Sequence, residues 1–286
     1  MKFGLMFSNV IGHPDAAVHL AQTAESVGIE SLWTVEHVVV PVGYESPYPY
    51  SPTGKMPGNE DAPIPDPLLW LTYVAAATER IKLATGILIL PQRHPFYVAK
   101  ELATLDQLSK GRAILGVGIG WLREEFEGLG IPFEERAERT EESCHALRSL
   151  WRKGHEPFEG KHYRWAPMES NPKPVQQPGV PIVVGGHVNG SARRAARVGD
   201  GYFPLALGED ERLGELLQVM GDECARIGRD PAEIEVTTGF PVTDLDAVKR
   251  AQDLGVSRLV VPPPAFDPEG LRKGLEEFAD KVIAKV

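Results

Sequence analysis

Short runs of apolar, often β-branched residues alternate along this chain with longer segments in which apolar residues recur every three or four positions. The first pattern is typical of a buried strand and the second of an amphipathic helix. Eight such pairs predict strands at 2–7, 30–35, 81–90, 112–118, 180–184, 201–204, 233–238 and 257–261. Alternating units of this number favour a closed α/β fold, the (β/α)8 or TIM barrel, which typically takes about 250 residues.

The helical segments end at ordinary stop signals, such as Gly28 and Gly111 directly after the last apolar position. A break is expected in the fourth segment near 128–132, where two glycines and a proline occur. The predicted helices cover 14–27, 66–79, 95–109, 122–151, 191–198, 209–227, 245–254 and 267–285.

Two insertions interrupt this rhythm, after strands 2 and 4. The segment Pro41–Pro67 holds eight prolines, three tyrosines and three glycines, which excludes a regular helix or a central strand. Long loops inside domains are usually functional or disordered, so we favour a lid at 41–65 over a surface excursion. The second insertion, 155–179, contains FEGKHYRW at 158–165, and its Gly160–Lys161 centre predicts a small hairpin.

Composition narrows the class of protein. The 286 residues are 42% hydrophobic, ample for one domain spanning 1–286, and carry a net charge of −10, which disfavours nucleic acid as a partner. The apolar stretch 68–78 is too short for a membrane span, and the N-terminus is too strand-like for a signal peptide. Cys144 and Cys224 fit neither a disulfide framework nor a zinc site. We expect a cytoplasmic protein with two buried thiols.

Several common catalytic signatures are missing from the sequence. The glycines at 116, 118 and 120 lack the spacing of a dinucleotide-binding fingerprint and follow the fourth strand, not the first. The chain has no P-loop, no G-x-S-x-G nucleophile elbow and no H-E-x-x-H zinc motif. No cluster of side chains has metal-ligand spacing, so no metal is expected.

Barrel enzymes place their chemistry in the loops that follow the strands. Glu36 and His37 end the second strand. An imidazole there either transfers a proton near neutral pH or serves as a structural hydrogen-bonding group. Gly86 interrupts the third strand, which indicates a bulge, a close approach of backbone to a ligand, or a packing glycine.

The end of the fourth strand has little side-chain bulk. Gly116, Gly118 and Gly120 leave room either for a flat ring system or only for the taper of the barrel. Trp121 follows them and either stacks on a ligand or fills the core.

The strongest candidate for an anion site is GGHVNGS at 185–191, where a strand runs through glycines into a helix. Free amides at a helix N-terminus attract phosphate. Asn189 or Ser191 is suited to cap that helix, and Arg193 and Arg194 are placed to add positive charge. The alternative is a tight turn with exposed arginines, but the double glycine exceeds what a simple turn needs.

The chain resembles the bacterial luciferase-like flavin oxidoreductases, and within them the coenzyme F420-dependent branch. The resemblance covers nearly the whole chain. The matching segments are KFGLMF, SLWTVEH, LATGILILPQRHP, GRAILGVGIGWLREEFEGLGIPFEER, VPIVVGG, SARRAARVGDGYFP and GVSRLVVPP. It implies a TIM barrel, often dimeric, that binds F420 or FMN at its mouth.

The resemblance also implies roles for individual residues. A cis peptide bond at Gly86–Ile87 would support the back of the ring, and His37 and Glu36 would contact the ring and the reacting centre. The implied cofactor-binding residues are Gly86, Ile87, Leu88, Gly118, Gly185, Gly186, His187 and Asn189, the last four at the phosphate end. One departure is that Gly120-Trp121-Leu122 stands where the sugar dehydrogenases of the family carry a catalytic Glu. A sugar-phosphate substrate is therefore not supported.

The function expected from this resemblance is hydride transfer between F420 and a small organic substrate held under the lid. His37 would move the paired proton, Glu36 would position the ring and polarise His37, and Tyr44, Tyr48 and Tyr50 would line the substrate side. The alternatives are an FMN-dependent monooxygenase supplied with reduced flavin by a partner reductase, and a barrel that only binds flavin. We expect a homodimer without membrane or nucleic-acid partners.

Overall fold

Eight parallel strands close into a barrel in the described part of the chain. The computed structural model describes residues 1–10, 13–58, 60–205, 210–239 and 244–286. The strands, in chain order, are β1 (Lys2–Leu5), β2 (Ser31–Thr34), β3 (Lys82–Thr85), β4 (Leu88–Ile89), β5 (Ala113–Gly118), β6 (Phe158–Glu159), β7 (Arg164–Trp165), β8 (Ile182–Gly185), β9 (Gly201–Phe203), β10 (Glu235–Gly239) and β11 (Arg258–Val261). β4 continues the third barrel strand, and β6 and β7 form a separate antiparallel hairpin.

The barrel strands follow one another around the ring in chain order. The sequence of neighbours is β3, β2, β1, β11, β10, β9, β8 and β5, and pairing of β3 with β5 closes the ring. In register, Lys2 lies opposite Arg258, and Leu83 lies opposite Ala113. The predicted (β/α)8 fold is confirmed.

The helices pack around the outside of the strands. Their bounds are α1 (Pro14–Ser26), α2 (Pro67–Ala75), α3 (Pro95–Leu108), α4 (Arg123–Gly128), α5 (Arg136–Trp151), α6 (Asn189–Val198), α7 (Asp210–Ile227), α8 (Leu245–Asp253) and α9 (Pro268–Lys281). The predicted break near 128–132 separates α4 from α5, and the predicted helix start at position 209 lies outside the described residues.

Two helix ends differ from the prediction for local reasons. α2 ends at Ala75 instead of position 79, because Arg112 donates hydrogen bonds to the Ala75 carbonyl and the Thr78 hydroxyl, 2.8 Å each. These bonds satisfy groups that a longer helix would have used internally. α6 starts at Asn189, two residues early, because the Ser191 hydroxyl accepts a hydrogen bond from the Val188 amide.

The apolar core has two parts. The larger part lies between strands and helices, and a smaller cluster that includes Trp33 and Phe203 fills the barrel. Trp33 is fully buried, and a Cβ atom on Gly86 would lie only 2.9 Å from its ring. Arg258, 2% exposed, pairs with Glu30 and Glu235 beside Trp33, so that a buried ion cluster accompanies the indole. The barrel is therefore a packed core rather than a pore.

The third strand breaks where Gly86 predicted an interruption. β3 ends at Thr85, the Gly86–Ile87 peptide bond is cis, and β4 resumes at Leu88. The adjoining strand makes room for this break, because a Cβ atom on Gly116 would lie 1.9 Å from the Thr85 carbonyl oxygen.

The insertion after the fourth barrel strand contains the predicted hairpin. Phe158 and Trp165 face each other across it, with stacked rings whose centroids lie 4.5 Å apart. The Glu142 carboxylate on α5 accepts hydrogen bonds from the amides of the connecting turn, including Tyr163 at 2.7 Å. The hairpin is thereby fastened to α5.

Cys144 and Cys224 are both free and buried. None of the helices within the described ranges combines the length and apolarity that crossing a membrane requires.

Candidate active site

His37 lies at the barrel mouth and is held by a carboxylate from a distant part of the chain. The residue follows β2, and its side chain is 7% exposed. Its Nδ1 lies 3.0 Å from Glu125 Oε2, on the short helix α4. Glu125 Oε1 accepts hydrogen bonds from the amides of Val38, 2.6 Å, and Val39, 3.2 Å. One fully buried carboxylate therefore holds both the imidazole and the backbone after it.

The ionisation of Glu125 follows from these contacts. Burial acts to raise the pKa of this carboxyl, but the hydrogen bond and charge of His37, with the Val39 amide, outweigh it and hold the pKa below its ordinary value. The carboxylate accepts the hydrogen bond of His37 Nδ1, which leaves Nε2 as the other ring nitrogen for proton exchange.

Glu36 points elsewhere, and the expectation that it polarises His37 is wrong. Its Oε1 accepts hydrogen bonds from Arg93 Nε, 2.9 Å, and Nη2, 2.6 Å, and its Oε2 accepts one from the Ile89 amide, 2.5 Å. Arg93 also binds Asp66 at 2.6 Å. Burial raises the pKa of Glu36 above its ordinary value, and Arg93 opposes this rise. Glu36 therefore ties the end of β2 to the segment after β4.

Glu36 and His37 have different partners because the chain is extended here, and consecutive side chains of an extended chain point to opposite sides. Sequence reasoning missed Glu125. The sequence did contain an indication of its role. Leu122 and Phe126 mark a buried face of α4, and Glu125 places a carboxylate on that apolar face.

An aromatic row crosses the barrel mouth above His37. The row consists of Tyr44, Tyr48 and Tyr50 from the 41–65 loop, together with Trp121, His37 and His187. Ring centroids are 5.6 Å apart for His37 and Trp121, 5.1 Å for Trp121 and Tyr48, and 4.7 Å for Tyr50 and His187. Burial raises the pKa of Tyr50 to about 12, so its phenol is neutral at physiological pH.

The same loop is fastened to α4. The amides of Glu45, 2.7 Å, and Ser46, 3.0 Å, donate hydrogen bonds to Glu124 Oε1. Burial acts to raise the pKa of Glu124, but hydrogen bonds from Ser46, Glu45 and its own amide together outweigh burial and hold the pKa at about 2. Trp121, half-buried in the row, neither fills the barrel core nor stands free.

The glycines after the fourth strand are explained by packing. A Cβ atom on Gly118 would lie 2.5 Å from Ile87 Cδ1, and one on Gly185 would lie 2.7 Å from Ile87 Cγ2. The Ile87 side chain therefore lies over the ends of β5 and β8. Of the two interpretations of Gly116 and Gly118, the taper of the barrel is the one that these contacts support.

The glycine loop after β8 leads directly into α6. Gly186 has a φ of +124°, which favours glycine, and its carbonyl accepts a hydrogen bond from the Tyr202 hydroxyl at 3.0 Å. Ser191 Oγ accepts from the Val188 amide and donates to the Val188 carbonyl, 3.2 and 2.7 Å. Among the described contacts, the amides of Asn189 and Gly190 have no acceptor.

The positive charge at this loop comes from a residue that sequence reasoning missed. Arg212 on α7 donates hydrogen bonds to the His187 carbonyl, 3.2 Å, and to Asn189 Oδ1, 3.3 Å. Arg193 is exposed, whereas Arg194 is buried and faces α5, so the expectation that Arg194 adds charge to the loop is wrong. No local pattern marked Arg212, which lies 23 positions from Asn189.

The mouth thus combines the buried His37–Glu125 pair, an aromatic row and a glycine loop that Arg212 contacts. These groups follow the strands of a closed parallel barrel, where (β/α)8 enzymes place their chemistry.

Comparison with known proteins identifies the family. The family model described as luciferase-like monooxygenase matches residues 1–260, and the chain belongs to this family. An uncharacterized protein of Mycobacterium tuberculosis is 34% identical over 94% of this chain and 95% of its own. An F420-dependent glucose-6-phosphate dehydrogenase of Kineococcus radiotolerans is 31% identical over 83% of this chain and 66% of its own.

Other relatives carry different names. An FMNH2-dependent dimethylsulfone monooxygenase of Pseudomonas putida is 35% identical over 64% of this chain and 47% of its own. Among solved structures, a monooxygenase of Streptomyces bottropensis has a TM-score of 0.80 at 23% identity, covering 99% of both chains. The F420-dependent tetrahydromethanopterin reductase of Methanopyrus kandleri has a TM-score of 0.78 at 19% identity, covering 99% of this chain and 98% of its own. The predicted family is confirmed, and its members include enzymes named for F420 and for FMN.

Proposed function

We propose that this protein is an F420-dependent oxidoreductase that transfers a hydride between the deazaflavin and a small, uncharged organic substrate. The observation that carries the proposal is the buried His37–Glu125 pair at the barrel mouth. Oxidation of an alcohol, or its reverse, moves a proton together with each hydride, and a carboxylate-held imidazole is suited to move that proton.

The residues at the mouth divide the remaining tasks. Glu125 holds the imidazole so that Nε2 accepts the proton from a substrate hydroxyl, and its negative charge stabilises the imidazolium that results. Trp121 and Tyr48 cover this position and exclude water. When bound, the deazaflavin supplies the hydride chemistry.

The glycine loop fits the acidic tail of such a cofactor. The amides of Asn189 and Gly190 at the start of α6, together with the Arg212 guanidinium, present donors and positive charge to an anion. We assign cofactor contacts to Gly185, Gly186, His187 and Asn189 on this ground. We assign Ile87 and Leu88 to the ring end, and Gly118 to this end as well because its lack of a side chain admits that of Ile87.

The substrate is inferred to differ from that of the Kineococcus relative. Gly120-Trp121-Leu122 provides no carboxylate, and Lys55, whose Nζ lies 4.2 Å from the Tyr44 ring centroid, already donates a hydrogen bond to the Tyr44 carbonyl. Aromatic side chains favour an apolar or aromatic substrate.

Titration of the purified protein with F420 and with FMN tests the cofactor. Saturable quenching of F420 fluorescence is expected, with FMN binding weaker. Tight FMN binding without F420 binding would refute the proposal.

The second candidate is an FMN-dependent monooxygenase supplied by a partner reductase. The relative named for FMNH2 favours it, since it is 35% identical over its matched region. Formation of an oxygenated product from an added substrate, with reduced FMN and oxygen and above a control without protein, separates the two, because an F420-dependent enzyme does not insert oxygen.

Replacement of His37 separates catalysis from mere flavin binding. We expect His37→Ala to bind cofactor normally and to lose turnover by about 100-fold or more, the usual contribution of a proton-transfer group. The exposed His155→Ala is the matched control. Unchanged turnover in His37→Ala would leave the imidazole without a catalytic role.

A further inference from the structure

A second cleft lies on the outside of the barrel, between α5, α6 and the hairpin. Its volume is about 600 Å³. Its walls include Glu138, Glu141 and Glu142 of α5, Phe158 of the hairpin, and Arg194 and Arg197 of α6. The residues of the barrel mouth do not line it.

The acidic groups of this cleft are already engaged. Arg197 binds Glu141 through two parallel hydrogen bonds of 2.7 and 2.8 Å. Glu142 accepts the amides of the hairpin turn. Glu138 accepts a hydrogen bond from Lys161 Nζ at 2.7 Å. Each carboxylate therefore has a partner other than Arg194.

Arg194 has no such partner. The residue is only 6% exposed, and its Nε is shielded from solvent without a hydrogen-bond acceptor. It forms no hydrogen bond and no ion pair within 4.0 Å among the described residues, and the charge of Glu141 acts on it from beyond that distance. The adjacent Cys144 thiol is not a counter-ion, because burial raises its pKa to about 12.

This arrangement is costly unless an anion completes it. A guanidinium does not lose its proton in a protein, so Arg194 remains a buried cation, and burial lowers its pKa without removing the charge. A buried charge without a partner is destabilising. Among the described residues, Arg194 lines this cleft together with Arg197, Phe158 and the glutamates of α5.

We propose that this cleft is a second ligand site, in which Arg194 binds the carboxylate of a small organic monoanion. The planar guanidinium matches a carboxylate through two parallel hydrogen bonds. The Phe158 ring offers an apolar surface to the rest of the ligand. The surrounding glutamates repel a phosphate dianion, which selects a singly charged ligand.

Calorimetric titration with benzoate tests the site in the unaltered protein. We expect saturable binding of one benzoate at constant ionic strength. Benzamide has the same shape without the charge, and we expect its affinity to be lower than that of benzoate by about tenfold or more. We expect the same of inorganic phosphate. Equal binding of benzoate and benzamide, or preference for phosphate, would overturn the proposal.

Variants locate the site. Arg194→Gln should lose benzoate binding by about tenfold or more, and Arg194→Lys should retain part of it, since a lysine keeps the charge but not the fork. The exposed neighbour Arg193→Gln is the matched control and should bind as the unaltered chain does. Thermal unfolding verifies that each variant is folded. If folded Arg194→Gln, or folded Arg194→Lys, binds benzoate with the affinity of the unaltered chain, the site lies elsewhere.

Discussion

Two carboxylates are candidates to hold His37, one adjacent in sequence and one distant in sequence. Only the one that is distant in sequence binds the imidazole. Glu36 is adjacent in sequence yet binds Arg93 and Ile89, whereas Glu125, 88 positions away, binds Nδ1. The chemical difference is large. A carboxylate that is paired with a guanidinium has a structural role. A carboxylate that is paired with an imidazole fixes which ring nitrogen is available for proton transfer.

Glu125→Gln tests this pair. The amide keeps the shape but loses the charge that stabilises the imidazolium, so we expect kcat to fall by about 10- to 100-fold while KM changes little. The pH profile of kcat should change as well, which loss of packing alone would not cause. Steady-state kinetics measure both.

The control for this change is Glu127→Gln, an exposed residue on the same helix. Equal kinetics of Glu125→Gln and Glu127→Gln would show that the buried carboxylate does not act on His37.

In the proposed function, Arg212 supplies the positive charge for the anionic end of the cofactor. Arg212→Gln is expected to weaken cofactor binding by about tenfold, because a charge-assisted hydrogen bond to the acidic tail is lost. The salt dependence of binding should also decrease. Fluorescence titration at two salt concentrations measures this, with Arg226→Gln, an exposed residue of the same helix, as control. An Arg212→Gln variant that binds as tightly as Arg226→Gln would contradict the assignment.

At the scale of elements, the 41–65 loop contains no strand or helix among its described residues. It is held by contacts of its tyrosine rings with Trp121 and by hydrogen bonds to α4. The amides of Glu45 and Ser46 bind Glu124, and Tyr48 contacts both Trp121 and Tyr50. A loop without its own strands or helices is held by side-chain and turn contacts alone, so local opening is expected to need less free energy than global unfolding. This is the property that a lid requires.

Tyr48→Ala measures the contribution of the row. It removes two edge-to-face contacts of about 0.5–1.5 kcal/mol each beyond their buried area. Amide hydrogen exchange of residues 44–56 should become about tenfold faster or more, and Tyr48→Phe, which keeps the ring, should leave it unchanged. Faster exchange in Tyr48→Phe would assign the effect to the hydroxyl instead.

At the scale of the whole molecule, ion pairs join helices that belong to different βα units. Glu223 on α7 binds Arg197 on α6 at 2.9 Å, and Arg197 also binds Glu141 on α5. Hydrogen bonds from Arg226 and Arg197 hold the pKa of Glu223 at about 2. The outer helices are therefore linked by charge as well as by apolar packing.

This network predicts a dependence of stability on pH. Because the pKa of Glu223 is lowered on folding, its contribution is fully present above about 4.5 and is lost as the pH falls towards 2. Glu223→Gln should be less stable than the unaltered chain at neutral pH, and the difference should shrink through that range. Urea unfolding at several pH values measures it, with the exposed Asp222→Asn as control. A difference independent of pH would mean that the charge of Glu223 is not responsible.

The sequence was sufficient for the features that near neighbours decide. The alternation of strand and helix patterns, the break at Gly86, the hairpin at 158–165 and the glycine loop at 185–191 depend on periodicity and on backbone preferences over a few residues. They identified the barrel, the position of His37 at its mouth and the glycine loop that leads into α6. A family resemblance carried by ordered segments extended this to the class of enzyme.

The tertiary structure decided which side chains meet. Glu125 and not Glu36 holds His37, Arg212 and not Arg194 reaches the glycine loop, and Arg194 is left facing a cleft. These outcomes depend on how helices from separate βα units are rotated against the barrel, and no local pattern specifies that rotation. Closure of the ring brings residues nearly a hundred positions apart to hydrogen-bonding distance, and only there do their charges acquire partners.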